Sequence, residues 1–105
     1  NMACEDLDLS NTIAKAISSI DKNIIFLVPT GSKMEIAAKK LNMKIACEIF
    51  ADRNYEDNGN LVSRSKEGSV IHDADMVVER SIKMIKDGKV EAIDGSIIEY
   101  EADTI

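Results

Sequence analysis

Apolar positions along the chain fall into helical and strand-like patterns that change at clear breaks. Ile13, Ile17 and Ile20 recur at i, i+4 and i+7, which predicts an amphipathic helix over residues 6–20. Asp6 and Ser10 are both suitable caps, and the pattern does not choose between them. Asp21-Lys22-Asn23 end the repeat, and Ile24 to Val28 follow as a continuous apolar run rich in β-branched residues. Such a run predicts a strand buried on both faces. After Pro29-Thr30-Gly31, the string Ser32-Lys33-Met34-Glu35 is a capping box. In it the Ser32 hydroxyl accepts from the third helical residue and Glu35 reaches back to the cap. The helix is expected to reach about Leu41, with Met34, Ala38 and Leu41 on one face and Asn42 as a left-handed terminator. Ile45 to Phe50 then form a second strand. Strand, helix and strand in so few residues predict a βαβ unit with parallel strands and a right-handed crossover.

This second strand carries Glu48 and breaks into Asp52-Arg53-Asn54-Tyr55. Parallel sheets gather their chemistry past the carboxyl ends of the strands, where Glu48, Asp52 and Arg53 would stand. A structural account is also open, with Glu48 on a solvated edge and Asp52 paired locally with Arg53. Residues 51–71 form a long connection with a turn at Asp57-Asn58-Gly59-Asn60. Connections of this length often serve as lids or binding loops. Its two arginines, Arg53 and Arg64, suit a substrate carboxylate or phosphate through bidentate hydrogen bonds. Equally, they would hold the loop shut by pairing with Glu48, Asp52 or Glu56. Asp73 caps a helix expected over residues 74–87, with Val78, Ile82 and Ile85 on its apolar face, a Glu79–Lys83 pair on its wet side and Gly88 at its end. Asp94-Gly95-Ser96 between Val90–Ile93 and Ile97–Tyr100 signals a hairpin. Asp103 is a second carboxylate at the edge of a strand.

Composition narrows the functions. The length suits one modest domain, and 45% apolar with 30% charged residues is ordinary for a soluble globular protein. A formal charge of -6 without a basic cluster argues against nucleic acid. Cys4 and Cys47 lie far apart and signal neither a zinc site nor a disulfide framework, and the single histidine, His72, reads as a surface residue. No apolar stretch reaches membrane-spanning length, so the expectation is a soluble, cytoplasmic protein. Thr30-Gly31-Ser32-Lys33 precedes a helix start, where anions bind. It lacks the upstream glycine and the Gly-Lys-Ser order of a P-loop, and reads as a tight turn with a capped helix.

The run Cys47-Glu48-Ile49-Phe50-Ala51-Asp52-Arg53-Asn54-Tyr55 is followed by Gly59-x-Leu61-Val62-x-Arg64-Ser65 and Gly68-x-Val70-Ile71. With Gly88-Lys89-Val90, Ile93-Asp94-Gly95 and Ala102-Asp103-Thr104-Ile105, these motifs resemble the LamB/YcsF family across essentially the whole chain. The resemblance implies an α/β fold, part of an irregular (β/α) barrel like that of glycoside hydrolases and deacetylases, with flanking helices and a β-hairpin. It implies that residues 1–105 are one segment of that barrel, cut at both ends, with the family's His-rich motif upstream and a Cys-Val-His-Gly-Asp motif downstream. The implied activity is that of one component of 5-oxoprolinase, opening 5-oxo-L-proline to L-glutamate with ATP hydrolysis beside two other subunits, B and C. The segment alone is expected to be inactive. On this reading Glu48, Asp52 and Asp103 are the catalytic carboxylates, Arg53, Tyr55 and Arg64 bind substrate, and no residue of the segment is assigned to metal. Two alternatives stand beside it: a metal-dependent deacetylase-like hydrolase, and a non-catalytic segment that shapes a subunit interface.

Overall fold

The computed structural model describes residues 2–105. Helices α1 (Met2–Glu5) and α2 (Leu7–Ile20) precede β1 (Ile25–Pro29), α3 (Lys33–Lys40) and β2 (Lys44–Glu48). After the long connection come α4 (Ala74–Asp87), β3 (Lys89–Glu91) and β4 (Ile97–Glu99). Asp6 is the cap of α2, accepting from the Leu9 amide at 3.0 Å. Ser10 is buried one turn further on, and its hydroxyl donates to the Ala3 carbonyl, tying α1 to α2.

β1 and β2 are parallel neighbours, with Ile25 opposite Lys44 and Pro29 opposite Glu48. A third parallel segment starts on the other edge of β2, where Ile49 donates to the Thr104 carbonyl at 3.0 Å and Thr104 to the Cys47 carbonyl at 3.1 Å. Helices α2 and α3 cover one face of this sheet. Ala14, Ala37 and Ala38 let them lie close over Val28 and Cys47, and all five side chains are buried in the first apolar cluster. The other face is uncovered. Ile25 is 68% exposed and Leu27 50%, so β1 is buried on one face, not both as its sequence predicts. The continuous apolar run fits a strand flanked by layers on each side, and only one layer is present among the described residues.

The α3 turn follows its signals closely. Ser32 caps the helix, accepting from the Glu35 amide, and Asn42 adopts φ 53° beyond its end. Glu35 reaches back one residue further than a capping box requires, to the Gly31 amide at 2.6 Å.

A second apolar cluster gathers Ile49, Ala51, Tyr55, Met84 and Val90 where the connection, α4 and the antiparallel β3–β4 hairpin meet. Asp73 caps α4 and Gly88 ends it at φ 62°. Its packed side is Val77 and Met84. Val78, Ile82 and Ile85 are 57%, 47% and 73% exposed, which corrects their expected place in the core. Two apolar stripes run along this helix, and periodicity alone does not say which one meets the body. The expected Glu79–Lys83 ion pair is not among those formed by the described residues.

Candidate functional site

The expected site residues fall into two groups. Glu48 ends β2 on the uncovered face of the sheet, half-buried, with no hydrogen bond or ion pair to its carboxylate among the described residues. Its carbonyl accepts from the Thr30 amide at 2.8 Å, which fixes the exit of β1 beside it. The Asp52 carboxylate is exposed and likewise unpaired; only its backbone is engaged, accepting from Ile71 at 2.8 Å. Arg64 is exposed on the connection and forms none of the ion pairs seen.

The other three spend their polar atoms inside the protein. Arg53 is 5% exposed; its Nη2 donates to the Val62 carbonyl at 2.8 Å and its Nε to the Ser69 carbonyl at 3.3 Å. Neither the local Asp52–Arg53 pair nor the proposed links to Glu48 or Glu56 form, and Glu56 pairs with Lys66 at 3.0 Å. The guanidinium fork spans two separate stretches of loop backbone, which a lone carboxylate partner would not do. Tyr55 is 3% exposed, and its hydroxyl accepts from the Phe50 amide at 2.9 Å. Burial pushes its pKa upward, only partly offset by that amide and by Arg80 and Arg53 nearby. The Asp103 carboxylate accepts from the Cys47 amide at 2.8 Å, and its own amide donates to the Cys47 carbonyl at 2.8 Å. That exchange starts the third parallel segment and sets Thr104 against Glu48.

Three features carry no plain sequence signal. Arg80 of α4 donates from Nε to the Ala51 carbonyl and from Nη2 to the Arg53 carbonyl, both at 3.0 Å, and so clamps the chain as it leaves β2. Its position one turn after Val77 was the only clue. Tyr100 packs against Tyr55 with ring centroids 5.4 Å apart and planes tilted by 53°, and it donates to the Gly59 carbonyl at 2.8 Å. A Cβ on Gly31 would come within 3.2 Å of the Tyr100 ring, and Gly31 has φ 75°, so this turn is held to glycine twice over. Finally, Glu35 accepts from Lys39 at 2.7 Å and from the Cys47 thiol at 3.5 Å. Burial alone would raise the Glu35 pKa, but the bonds from Lys39, the Gly31 amide and Cys47 hold it below the ordinary value. The thiol moves the other way, to about 11, because it is buried and faces the Glu35 charge. A protonated thiol is a poor nucleophile, so Cys47 serves as packing and as a donor.

Beyond the carboxyl ends of β1 and β2 lies a cleft of about 70 Å³, walled by Pro29, Phe50 and Leu61, with Thr30, Tyr55 and Glu5 among its polar groups. No three His, Cys, Asp or Glu side chains converge as a metal-binding group among the described residues. No helix among them is long and apolar enough to cross a membrane.

The fold is thus a parallel α/β unit with a cleft at its strand ends and, among the described residues, two unpaired carboxylates beside it. The LamB/YcsF family model matches residues 1–105, and the chain belongs to that family. It is 50% identical over all its residues to the 5-oxoprolinase A-subunit of Campylobacter jejuni subsp. doylei, and 49% identical to the 5-oxoprolinase A-subunit of Alkaliphilus metalliredigens. It spans 41% of the length of each. The crystal structure of the lactam utilization protein from Thermus thermophilus superimposes with a TM-score of 0.85 at 35% identity, over 97% of this chain and 41% of that one.

Proposed function

We propose that the chain is a segment of a cytoplasmic 5-oxoprolinase A-subunit, acting with two partner subunits to open 5-oxo-L-proline to L-glutamate at the expense of ATP. What carries the reading is the match of the whole chain to relatives of that name, at up to 50% identity. The uncovered face of the sheet supports the wider architecture. In an irregular (β/α) barrel, Ile25 and Leu27 would face the interior and be covered by strands outside this segment.

Chemically, a five-membered lactam is unactivated and its ring closure is favourable. Phosphorylation of the amide oxygen by ATP would activate the ring carbon toward water; the adduct would expel the ring nitrogen as an amine and leave an acyl phosphate, which a second water would hydrolyse to glutamate and phosphate. The remaining steps need carboxylates to orient and deprotonate water and cations to hold anionic groups. Among the described residues, Glu48 and Asp52 have unpaired carboxylates for the first task, and Arg64 an unpaired guanidinium for the second. Asp103 acts beside Glu48 by fixing the adjoining segment. Arg53 and Tyr55 contribute by holding the connection in place, with the Tyr55 proton still available to a substrate.

Glu48→Gln in the complete three-subunit enzyme is expected to lower ATP-dependent 5-oxoproline hydrolysis at least about 100-fold with the complex still assembled. Full activity in that variant would remove Glu48 from the chemistry. The exposed stripe of Val78, Ile82 and Ile85 favours the interface alternative. On that view Ile85→Asp blocks assembly while Glu48→Gln has no effect.

A further inference from the structure

The cleft beyond β1 and β2 holds polar groups that the fold does not use. Thr30 is 8% exposed, and its Oγ1 is buried without a hydrogen-bond partner among the described residues. The turn around it is otherwise satisfied. The Thr30 amide is bonded to Glu48, the Gly31 amide to Glu35 at 2.6 Å, and the Ser32 hydroxyl to the Pro29 carbonyl at 2.6 Å. A hydroxyl shut away from water and left unpaired costs more than an ordinary hydrogen bond contributes, so such groups call for an explanation. Across the same cleft, the Tyr55 oxygen accepts from Phe50, which leaves its proton to give.

The lining also says what the ligand is not. Among the described residues it contains no lysine or arginine, and its one charged side chain is the carboxylate of Glu5. The Gly31 amide, the nearest donor at the start of α3, is already taken by a carboxylate. A phosphate or other strong anion would meet negative charge and no cation. A small neutral ring with a carbonyl acceptor fits instead: apolar edges against Pro29, Phe50 and Leu61, and an oxygen with two lone pairs for two hydroxyls.

We propose that this cleft seats the ring of a small cyclic amide, its carbonyl oxygen accepting from the Tyr55 hydroxyl and, once a χ1 rotation turns it toward the cleft, from the Thr30 hydroxyl. The proposal rests on the lactam-directed function above and adds that the ring and the nucleotide phosphates occupy different places.

The test is a titration of the isotope-labelled complete A-subunit with 2-pyrrolidinone, a five-membered lactam without a carboxylate, followed by amide NMR shifts, with inorganic phosphate as competitor. Shifts centred on Thr30, Gly59 and Leu61, unaffected by phosphate, are expected. Thr30→Val should weaken binding about tenfold without lowering the melting temperature, because it deletes an unpaired hydroxyl at nearly constant volume. Thr30→Ser should retain affinity within about twofold, and Tyr55→Phe should weaken binding as well. Undiminished binding in Thr30→Val, shifts confined to Glu48 and Asp103, displacement by phosphate, or no binding at all would each overturn the site. If 2-pyrrolidinone binds here but the complete enzyme does not hydrolyse 5-oxoproline, the functional reading fails and the site stands. If hydrolysis proceeds unchanged in Thr30→Val, the site fails and the functional reading stands.

Discussion

The two apolar clusters of this chain are held by different means. Around the first, α2, β1, α3 and β2 are joined by regular ladders and helix caps, and small side chains allow close packing. Around the second, the connection after β2 forms no named strand and is paired by isolated antiparallel bridges, Arg53 with Val70 and Tyr55 with Leu61. It is shaped by side chains that reach across to carbonyls: Arg53 to Val62 and Ser69, Arg80 to Ala51 and Arg53, Tyr100 to Gly59. A loop of this kind is specified by a few long side chains, so a single substitution can release it. The cleft lies on the seam between the two regions, with Pro29 and Thr30 from the first and Tyr55 and Leu61 from the second.

Arg53→Ala is the strongest challenge to this contrast. It leaves the buried Val62 carbonyl without its donor and the Ser69 carbonyl with the Asn54 amide alone, and the expected loss is about 3 kcal/mol in urea denaturation. Hydrogen exchange should show residues 51–71 opening while β1 and β2 stay protected. Arg53→Lys should not restore the loss, since an ammonium does not span both carbonyls. If both regions lost protection together, they would form one cooperative unit and the contrast would fail.

Val28→Ala probes the other region. Val28 is fully buried, and the deletion should cost about 2 kcal/mol through lost burial and a residual cavity. Its effect should spread through β1, β2 and α3. Asp73→Ala removes the cap of α4, where one carboxylate oxygen serves the amides of Asp75 and Met76, and should cost about 1 kcal/mol in thermal denaturation.

The Glu35–Cys47 contact gives the first region a pH signature. The folded thiol keeps its proton to higher pH than an unfolded one, so its contribution is intact below 9.0 and is lost as pH rises through about 11. Glu35 has a lowered pKa, so its contribution is present above 4.5 and fades as pH falls through the folded value. Melting temperatures recorded from about pH 8 to 11 should fall in the native protein and fall less steeply in Cys47→Ala. Equal slopes would show that the contact does not matter. Arg64→Ala should have the smallest effect, within about 0.5 kcal/mol in stability, since this exposed side chain holds nothing in place. A large loss of stability there would mean that the second arginine also ties the loop.

Local signals in the sequence were enough where the physics is local. Ser32, Asn42, Asp73, Gly88 and the Asp94-Gly95 turn each act within a few residues of themselves, and the structure uses each as expected. The strand–helix–strand order required parallel pairing of β1 with β2. The motif string from Cys47 to Tyr55 located the family. Burial was less legible. Ile25 and Leu27 are as apolar as Val28, and no pattern in the run shows that one face lacks a covering layer. The same holds for α4, where Val77 and Met84 pack while Val78, Ile82 and Ile85 do not.

For the candidate site, the sequence offered residues of suitable chemistry but not what they bond. Arg53 and Arg64 look alike in one dimension. Only the tertiary structure made the first a buried strut and left the second exposed, because the Val62 and Ser69 carbonyls lie 9 and 16 residues from Arg53 along the chain. Asp103 shows the same limit at greater range, bonding to an amide 56 residues away. Thr30 is the sharpest case. A threonine in a Pro-Thr-Gly turn is unremarkable in sequence, and its unpaired hydroxyl exists only because the fold buries it beside Tyr55 and Leu61. Caps and turns are short-range and can be read along the chain; desolvation and partner choice depend on what the fold brings alongside.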